Sequence, residues 1–172
     1  MPAIRAATAD DALAIAQVHV ACWHEAYAGL LPEAVIAART VAAREAMWRR
    51  ILTEAGPAGI FVADDDGTLI GFGACGPQRS AELSDFDAEI GTLYLRSARH
   101  GRGLGRALMQ AMFRDLRERG FAAASLWVLD GNDGAMRFYE RLGGVRVGER
   151  TETDEHGTFR DIAYGWRDLV LT

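Results

Sequence analysis

Apolar residues in the N-terminal third of the chain recur mostly at helical spacing. The pattern predicts a short strand at 3–7, a helix at 9–21, an aromatic-rich connection at 22–33 and a helix at 41–54. Thr8 is placed to cap the first of these helices, and Pro32 favours a helix start. Gly56 and Pro57 are expected to end the last one. The first helix should bury one face, formed by four apolar residues: Leu13, Ile15, Ala16 and Val20.

The rest of the chain alternates strands and helices. The strands "GIFVA" at 59–63 and "TLIGFGAC" at 68–75 flank the turn "DDDG", which is typical of a hairpin. Beyond a polar loop the pattern predicts a strand at 88–95, a helix at about 103–119, a strand at 122–129 and a short helix within 131–144. The tail, 145–167, alternates as two strands around "DEHGT".

The order of these elements predicts the fold class. A strand, a helix and a further strand in succession form a right-handed crossover, so the strands at 88–95 and 122–129 should run parallel. The other strands can pair antiparallel. We therefore expect a mixed α/β fold, α+β-like, in one domain over 1–172: a mostly antiparallel sheet flanked by helices.

Composition narrows the class of protein. Of the 172 residues, 49% are hydrophobic and 25% charged, which is ordinary for a globular domain. No apolar run approaches the ~20 residues of a membrane span, and the N-terminus lacks the pattern of a secretory signal. The net charge of −5 has the wrong sign for generic nucleic-acid binding. Because Cys22 and Cys75 fit no disulfide framework, we expect buried thiols in a cytoplasmic protein without membrane or nucleic-acid partners.

The basic residues exclude several enzyme classes. All 19 of them are arginine. Walker-type phosphate loops, pyridoxal-phosphate enzymes and Schiff-base aldolases need a lysine, so these classes are largely excluded. The stretch "HVACWH" brings His19, Cys22 and His24 close in sequence, but they share no single helical face and no fourth ligand stands nearby. No metal site is predicted.

The stretch "RHGRGLGRAL" at 99–108 leads three closely spaced glycines into a helix. Glycine lets backbone N–H groups approach a ligand, and the first turn of a helix has unpaired N–H groups at its positive dipole end. Arg102 and Arg106 add positive charge. These features predict a site for phosphate or pyrophosphate. A dinucleotide-binding oxidoreductase fits poorly, because the spacing is GxGxG in mid-chain and no acid follows at the required distance.

A second motif, "NDGAMRFYERLGG", occupies 132–144. Asn132 and Tyr139 are seven residues apart, nearly two helical turns, so both can face the same side, roughly 10 Å apart along the axis. The amide can hydrogen-bond an extended polar chain, and the phenol can deliver a proton. The alternative is a helix-capping asparagine and a core tyrosine.

The two motifs together resemble those of the GNAT superfamily of acyl-CoA N-acyltransferases. That family's pyrophosphate loop, Q/R-x-x-G-x-G/A, directly follows the fourth strand, and "HGRGLG" at 100–105 is similar. Its later segment, N-x-x-A-x-x-F-Y-E-x-x-G-F, is matched nearly throughout by 132–144. Two positions depart from the pattern. His100 replaces Gln or Arg, and Arg99 or Arg102 can supply the lost contact. Gly144 replaces Phe, which should loosen the packing after the last helix.

The resemblance implies the GNAT fold, with the parallel strand pair splayed apart, and acetyl-CoA as co-substrate with no metal. Backbone groups of the glycine loop would hold the pyrophosphate, and the main chain of the preceding strand would pair with pantetheine. The implied cofactor-binding residues are Leu93, Tyr94, Leu95, His100, Gly101, Arg102, Gly103, Leu104, Gly105, Arg106, Asn132 and Ala135.

The resemblance also implies direct attack of an amine on the thioester. Tyr139 would protonate the departing thiolate, and the Leu95 amide would polarise the carbonyl. Glu89 matches a position that often serves as the general base in this family. The alternative bases are His100, Asp87 and Tyr27.

The acceptor pocket is expected near the first helix. Trp23, His24 and Tyr27, together with Trp48, are its candidate residues, and an aromatic face there would suit an amine. These aromatics can equally be core residues. The expected function is an acetyl-CoA-dependent N-acetyltransferase acting on a primary amine of a small molecule or peptide. The alternative is a non-catalytic CoA- or acyl-CoA-binding module, and the resemblance is compatible with a homodimer.

Overall fold

The helices and strands follow one another along residues 1–54 and 59–171, the residues that the computed structural model describes. The helices are α1 (Ala12–Tyr27), α2 (Glu33–Ala37), α3 (Val41–Thr53), α4 (Leu104–Glu118) and α5 (Asp133–Arg141). The strands are β1 (Ala3–Ala6), β2 (Gly59–Asp65), β3 (Thr68–Pro77), β4 (Ala88–Leu95), β5 (Ala124–Leu129), β6 (Val145–Asp154) and β7 (Gly157–Trp166). Gly56 and Pro57, the predicted end of α3, lie outside the described residues.

The strands form one sheet in the order β1-β2-β3-β4-β5-β7-β6. Every neighbouring pair is antiparallel except β4 and β5, which run parallel. Pairing between β4 and β5 is limited to Ala88 with Ala124 and Glu89 with Ser125. Beyond these two pairs the strands diverge, which confirms the mixed α/β fold with one splayed parallel pair.

Helices cover both faces of the sheet. Val62 packs in the cluster that contains residues of α1 and α3, whereas its neighbour Ala63 packs against Leu104 and Leu108 of α4. Because successive strand residues point to opposite faces, α1 and α3 lie on one face and α4 on the other. Tyr139 of α5 joins the cluster of α4. Where β4 and β5 separate, the helices on the two faces of the sheet are no longer divided by paired strands.

A bulge in β4 lies close to the point of divergence. Ala74 pairs with Thr92 and Cys75 with Ile90, so Gly91 is an extra residue on β4. A β-bulge bends a strand and increases its local twist. This bend turns β4 away from its straight course where it separates from β5.

The structure corrects two details of the N-terminal prediction. Helix α1 continues to Tyr27, so the connection predicted from residue 22 is wrong over 22–27. No helix breaker interrupts that stretch before Gly29, which has a φ of 82°. Leu13 was expected on the buried face but is 44% exposed. The helix instead buries the face that starts with the fully buried Ala12, about 100° round the axis from Leu13.

Strand β5 also begins later than predicted, at Ala124 rather than at residue 122. The amides of Ala122 and Ala123 donate to the carboxylate of Asp87 at 2.9 and 2.8 Å. They are therefore unavailable for a regular ladder. The side chain of Asp87 fixes this end of the parallel pair.

Candidate active site

The divergence of β4 and β5 opens a cleft of about 580 Å³. One end of the cleft is bordered by the loop before α4, including His100 and Gly101. The other end reaches Ile90 and Gly91, near the point of divergence. Helix α5, the end of α1 and residues 126–128 of β5 supply the remaining walls. The cleft therefore connects the glycine loop with the apex of the splay.

The three glycines of the loop have two different roles. Gly101 and Gly103 have φ angles of 74° and 77°, and a Cβ at either position would meet nothing within 4 Å. These two glycines supply left-handed backbone beside open space. Gly105 differs, because a Cβ there would lie 3.1 Å from Cζ of Phe138. It allows α5 to pack closely against the first turn of α4.

The first turn of α4, which borders the cleft at Gly105, begins with backbone amides that have no intrahelical acceptor. The helix starts at Leu104, and the first amide with an acceptor one turn back is that of Ala107, which bonds to the Gly103 carbonyl at 3.0 Å. The amides of Leu104 and Gly105 precede it and have no such acceptor. Together with the helix dipole they form an anion site next to the exposed Arg102.

Glu25 on α1 ties the end of β4 to the opposite wall. Its carboxylate accepts from the Ser97 amide at 2.7 Å and pairs with Arg96 at 2.8 Å. Burial alone would raise the pKa of Glu25, but the bonds from Ser97 and Arg96 outweigh burial and lower the pKa. Nothing in the sequence pattern indicated this contact, because Glu25 lies more than 70 residues from its partners.

His100 holds the loop through a different contact. Its Nε2 lies 2.8 Å from the carbonyl oxygen of Leu95, the last residue of β4. Of the two arginines proposed to compensate for this histidine, Arg99 pairs with Asp65 at 2.8 Å, whereas Arg102 stays exposed. His100 thus links the glycine loop to the strand that borders the cleft.

The main chain of β4 faces the cleft over the residues that the family resemblance implies for pantetheine binding. The Arg96 amide donates to the Ile70 carbonyl on β3 at 2.9 Å. Amide directions alternate along a strand, so the amides of Leu95 and Leu93 point away from β3 and towards the cleft. Leu93, Tyr94 and Leu95 all line it. Their role in binding pantetheine stays a prediction.

Asn132 and Tyr139 both line the cleft, as their spacing predicted. The Asn132 side chain accepts from the Ala135 amide at 3.4 Å and so caps α5. Among the residues that the structure describes, its amide nitrogen has no acceptor and is available as a donor. Tyr139 is 8% exposed, and its hydroxyl has no hydrogen-bond partner within the described parts of the chain. Burial raises the pKa of Tyr139, with a smaller contribution from Tyr27, so the phenol is protonated at neutral pH.

Gly144 does not loosen the packing, contrary to the expectation from its replacement of Phe. A Cβ at Gly144 would lie 2.7 Å from Cζ2 of Trp166 and 2.9 Å from the Tyr139 carbonyl. Trp166 is 4% exposed and fills the space. The tryptophan occupies the volume that a larger side chain at position 144 would need.

The expected base, Glu89, lies at the apex of the splay. Its side chain is 13% exposed and forms an ion pair with Arg79. Glu89 lines a second, adjoining cavity rather than the main cleft. Among the alternative bases, Asp87 is occupied by backbone amides, whose bonds outweigh burial and lower its pKa. Arg79 was missed in the sequence because it stands in a polar loop with no pattern of its own.

The structure separates the four residues proposed for the acceptor pocket. Tyr27 lines the cleft, and its hydroxyl lies 3.4 Å from that of Tyr94. Trp23 packs edge-on against Tyr27, with ring centroids 4.7 Å apart, beneath the guanidinium groups of two arginines. His24 is exposed and does not line the cleft. Trp48 is a core residue, 3% exposed, which corrects its proposed place in the pocket.

The remaining sequence expectations concern metals and membranes. Cys22 and Cys75 are buried free thiols, as predicted. Within residues 1–54 and 59–171 no group of three or more His, Cys, Asp or Glu side chains could hold a metal ion. None of the helices described above is long and apolar enough to cross a membrane.

Comparisons with known proteins agree with this geometry. An uncharacterized N-acetyltransferase of Bacillus subtilis (strain 168), YuaI, is 31% identical over 170 residues, which cover 98% of this chain and 95% of YuaI. The mycothiol acetyltransferase of Thermobispora bispora is 41% identical over 93 residues, but these cover 52% of this chain and 31% of that protein. The fold is similar to that of the PaiA N-acetyltransferase of Thermoplasma acidophilum in complex with coenzyme A, with a TM-score of 0.70, 21% identity and coverage of 94% and 98% of the two chains.

A family model matches most of the chain. It is described as the acetyltransferase (GNAT) family and matches residues 20–144. That range contains the splayed strands β4 and β5, the glycine loop and the Asn132–Tyr139 motif. The chain belongs to the acetyltransferase (GNAT) family.

Proposed function

We propose that the protein transfers the acetyl group of acetyl-CoA to a primary amine of a small molecule or peptide. The observation that carries the proposal is the cleft, with an anion site at one end and a protonated, buried phenol in its wall. Family membership supports the same chemistry. Coenzyme A fits this site because it carries a diphosphate group. The two glycines with left-handed backbone leave open space beside the amides at the start of α4, and a diphosphate needs both the space and the N–H donors.

The chain's own residues would divide the work along the cleft. Amides at the start of α4 would bind the pyrophosphate, with Arg102 adding charge. The backbone of 93–95 and the free donor of Asn132 would orient the pantetheine arm. When bound, acetyl-CoA supplies a thioester whose carbonyl carbon is open to attack by an amine.

Two groups would then move protons. Tyr139 would donate its phenolic proton to the sulfur as the thiolate leaves, because its hydroxyl is protonated and has no competing partner among the described residues. Glu89 would accept one proton from the ammonium group so that the amine becomes nucleophilic. The second proton, lost from nitrogen as the amide forms, would restore the phenol of Tyr139 after it has protonated the thiolate. The Leu95 amide, which points into the cleft, would stabilise the developing oxyanion.

The first experiment is thermal unfolding with acetyl-CoA, CoA, NAD and ATP at matched concentrations. A ligand at about 100 times its dissociation constant adds about 2.7 kcal/mol of stability. For a domain of this size that raises Tm by roughly 5 to 11 °C. We expect this shift with acetyl-CoA and CoA alone. No shift with either would overturn the proposal, and a shift with NAD alone would favour an oxidoreductase.

The second experiment separates catalysis from binding. Tyr139→Phe should lower kcat by about two to four orders of magnitude, the usual range for a lost general acid. The affinity for acetyl-CoA should stay nearly unchanged. Tyr164→Phe is a matched control, since Tyr164 is a buried tyrosine that bonds to Glu140 and does not line the cleft. Unchanged turnover in Tyr139→Phe would remove the acid role.

The non-catalytic alternative has its own outcome in these experiments. A CoA-dependent Tm shift without thiol release over a wide panel of amines would favour an acyl-CoA-binding module. Cytoplasmic location and a homodimer stay predictions.

A further inference from the structure

A second cavity of about 460 Å³ adjoins the cleft at the apex of the splay. The two cavities share four lining residues: Ile90, Gly91, Leu126 and Trp127. The glycine loop stands at the opposite end of the cleft. A ligand that enters from the loop and extends along β4 therefore points its far end towards this second cavity.

We propose that the second cavity binds the acceptor, and that the acceptor is a primary amine with a carboxylate on the neighbouring carbon, as in a free α-amino acid. This inference rests on the proposed acetyl transfer and names the substrate class of the same site. Arg79 would hold the carboxylate of the acceptor, and Glu89 would hold its ammonium group.

Arg79 has the geometry of a carboxylate receptor. Its side chain is 78% exposed, and its Nε is engaged by Glu89. Its Nη2 lies 3.2 Å from the point where a Cβ on Gly91 would stand, so the guanidinium covers the bulge at the apex. Neither Nη atom has a protein partner in the described parts of the chain. A planar pair of N–H donors of this kind suits two carboxylate oxygens.

Glu89 supplies the opposite charge at the inner side of the cavity. It is 13% exposed, and its backbone pairs with Ser125 at the last contact between β4 and β5. An ammonium beside Glu89 would therefore stand at the junction with the cleft. Because Glu89 and Arg79 touch each other, a ligand that binds both must carry its two charges close together. An α-amino acid meets that condition, and a long ω-amino acid does not.

The charges of the cavity favour a zwitterion over a polyamine. Two arginines and two glutamates line it: Arg79, Arg150, Glu82 and Glu89. Arg150 lies over the Trp127 ring, 4.4 Å from its centroid, and pairs with Asp161 at 3.0 Å. The cavity therefore presents charges of both signs, which suits a ligand that carries a carboxylate beside its ammonium group better than one that carries ammonium groups alone. The net charge of the whole chain is negative, but the charge of the ligand preferred in this cavity depends on the residues that line it.

The test compares matched amines in the thiol-release assay. The panel contains the protein amino acids other than proline, which has no primary amine, the amide of each and the corresponding decarboxylated amine, with spermidine as the polyamine. For the preferred side chain, we expect kcat/KM for the free acid to exceed that for its amide by about tenfold to a hundredfold, as for other charge-assisted hydrogen bonds. Arg79→Gln should bring this ratio close to one. Arg79→Lys, which keeps the charge but loses the planar pair of donors, should give an intermediate ratio.

The control is Arg114→Gln, which removes the same charge from an exposed position on α4, away from both cavities. It should leave the acid-to-amide ratio unchanged, and each variant is checked for an unaltered Tm shift with CoA. Equal rates for acids and amides, a ratio that survives Arg79→Gln, or spermidine as the best acceptor would each overturn the acceptor proposal while leaving acetyl transfer in place. No CoA shift, or no turnover of any amine, would overturn the proposed function, and the acceptor proposal with it.

Discussion

Replacing Gly144 by alanine tests the packing behind Tyr139. The ideal Cβ would lie 2.7 and 3.2 Å from two atoms of the Trp166 indole, against a normal carbon contact of about 3.5 to 4.0 Å. Trp166 would have to move by close to 1 Å. It cannot move freely, because its Nε1 donates to the Leu142 carbonyl at 2.9 Å and its ring packs against Phe113.

Two costs add up in this variant. Overpacking a buried site costs about 1 to 3 kcal/mol, and the weakened bond from Trp166 to Leu142 adds about 0.5 to 1.5 kcal/mol. We therefore expect Gly144→Ala to lose about 1.5 to 4.5 kcal/mol of unfolding free energy, which corresponds to a fall in Tm of roughly 3 to 18 °C.

The assay is urea unfolding followed by tryptophan fluorescence, with thermal unfolding in parallel. Gly148→Ala is the control, since a Cβ there would meet its nearest neighbours at 3.7 Å, an ordinary contact. We expect Gly148→Ala to stay within about 1 kcal/mol of the parent protein. A Gly144→Ala variant as stable as the parent would refute the inference that Trp166 needs this glycine.

Three further changes probe the base, the glycine loop and a buried histidine. Glu89→Gln should lower kcat/KM at neutral pH with partial rescue at high pH, where more of the amine is already deprotonated; full activity at neutral pH would exclude the base role. Gly103→Ala, at a φ of 77°, should weaken acetyl-CoA binding about 5- to 30-fold in calorimetry, from about 1 to 2 kcal/mol of backbone strain, whereas Gly67→Ala in the β2–β3 turn, at 87°, should not. Burial, together with nearby arginines, lowers the pKa of His19 from 6.5 to about 3, so the unfolded chain binds the extra proton and stability should fall as pH drops below 6.5 towards 3. His19→Gln, which keeps an acceptor for the Trp48 Nε1 donor 3.1 Å away, should flatten the dependence of unfolding free energy on pH, and parallel curves for the two proteins would contradict this account.

The elements around the cofactor site follow from patterns within short segments of the chain. Strand β4 occupies 88–95 as predicted, because an alternating run between a polar loop and a glycine loop has few other options. Helix α4 was predicted from its apolar spacing, which buries Leu104, Leu108, Met112 and Leu116. The motifs at 100–105 and 132–144 indicated the family because each combines particular residue types with a fixed spacing. Residue type and spacing are both visible within a short segment.

Which side chains meet across the splay depends on how distant segments come together in the folded sheet. Glu25 bonds to Ser97 and Arg79 to Glu89, contacts between elements whose separation in sequence shows no period. The structural role of a glycine also depends on its surroundings in the fold. Gly103 adopts a left-handed backbone conformation, whereas Gly144 leaves room for Trp166. The sequence shows a glycine at both positions and does not indicate which of the two roles each one has. Local patterns report what a segment prefers, and the contacts between distant segments follow only when the whole sheet is assembled.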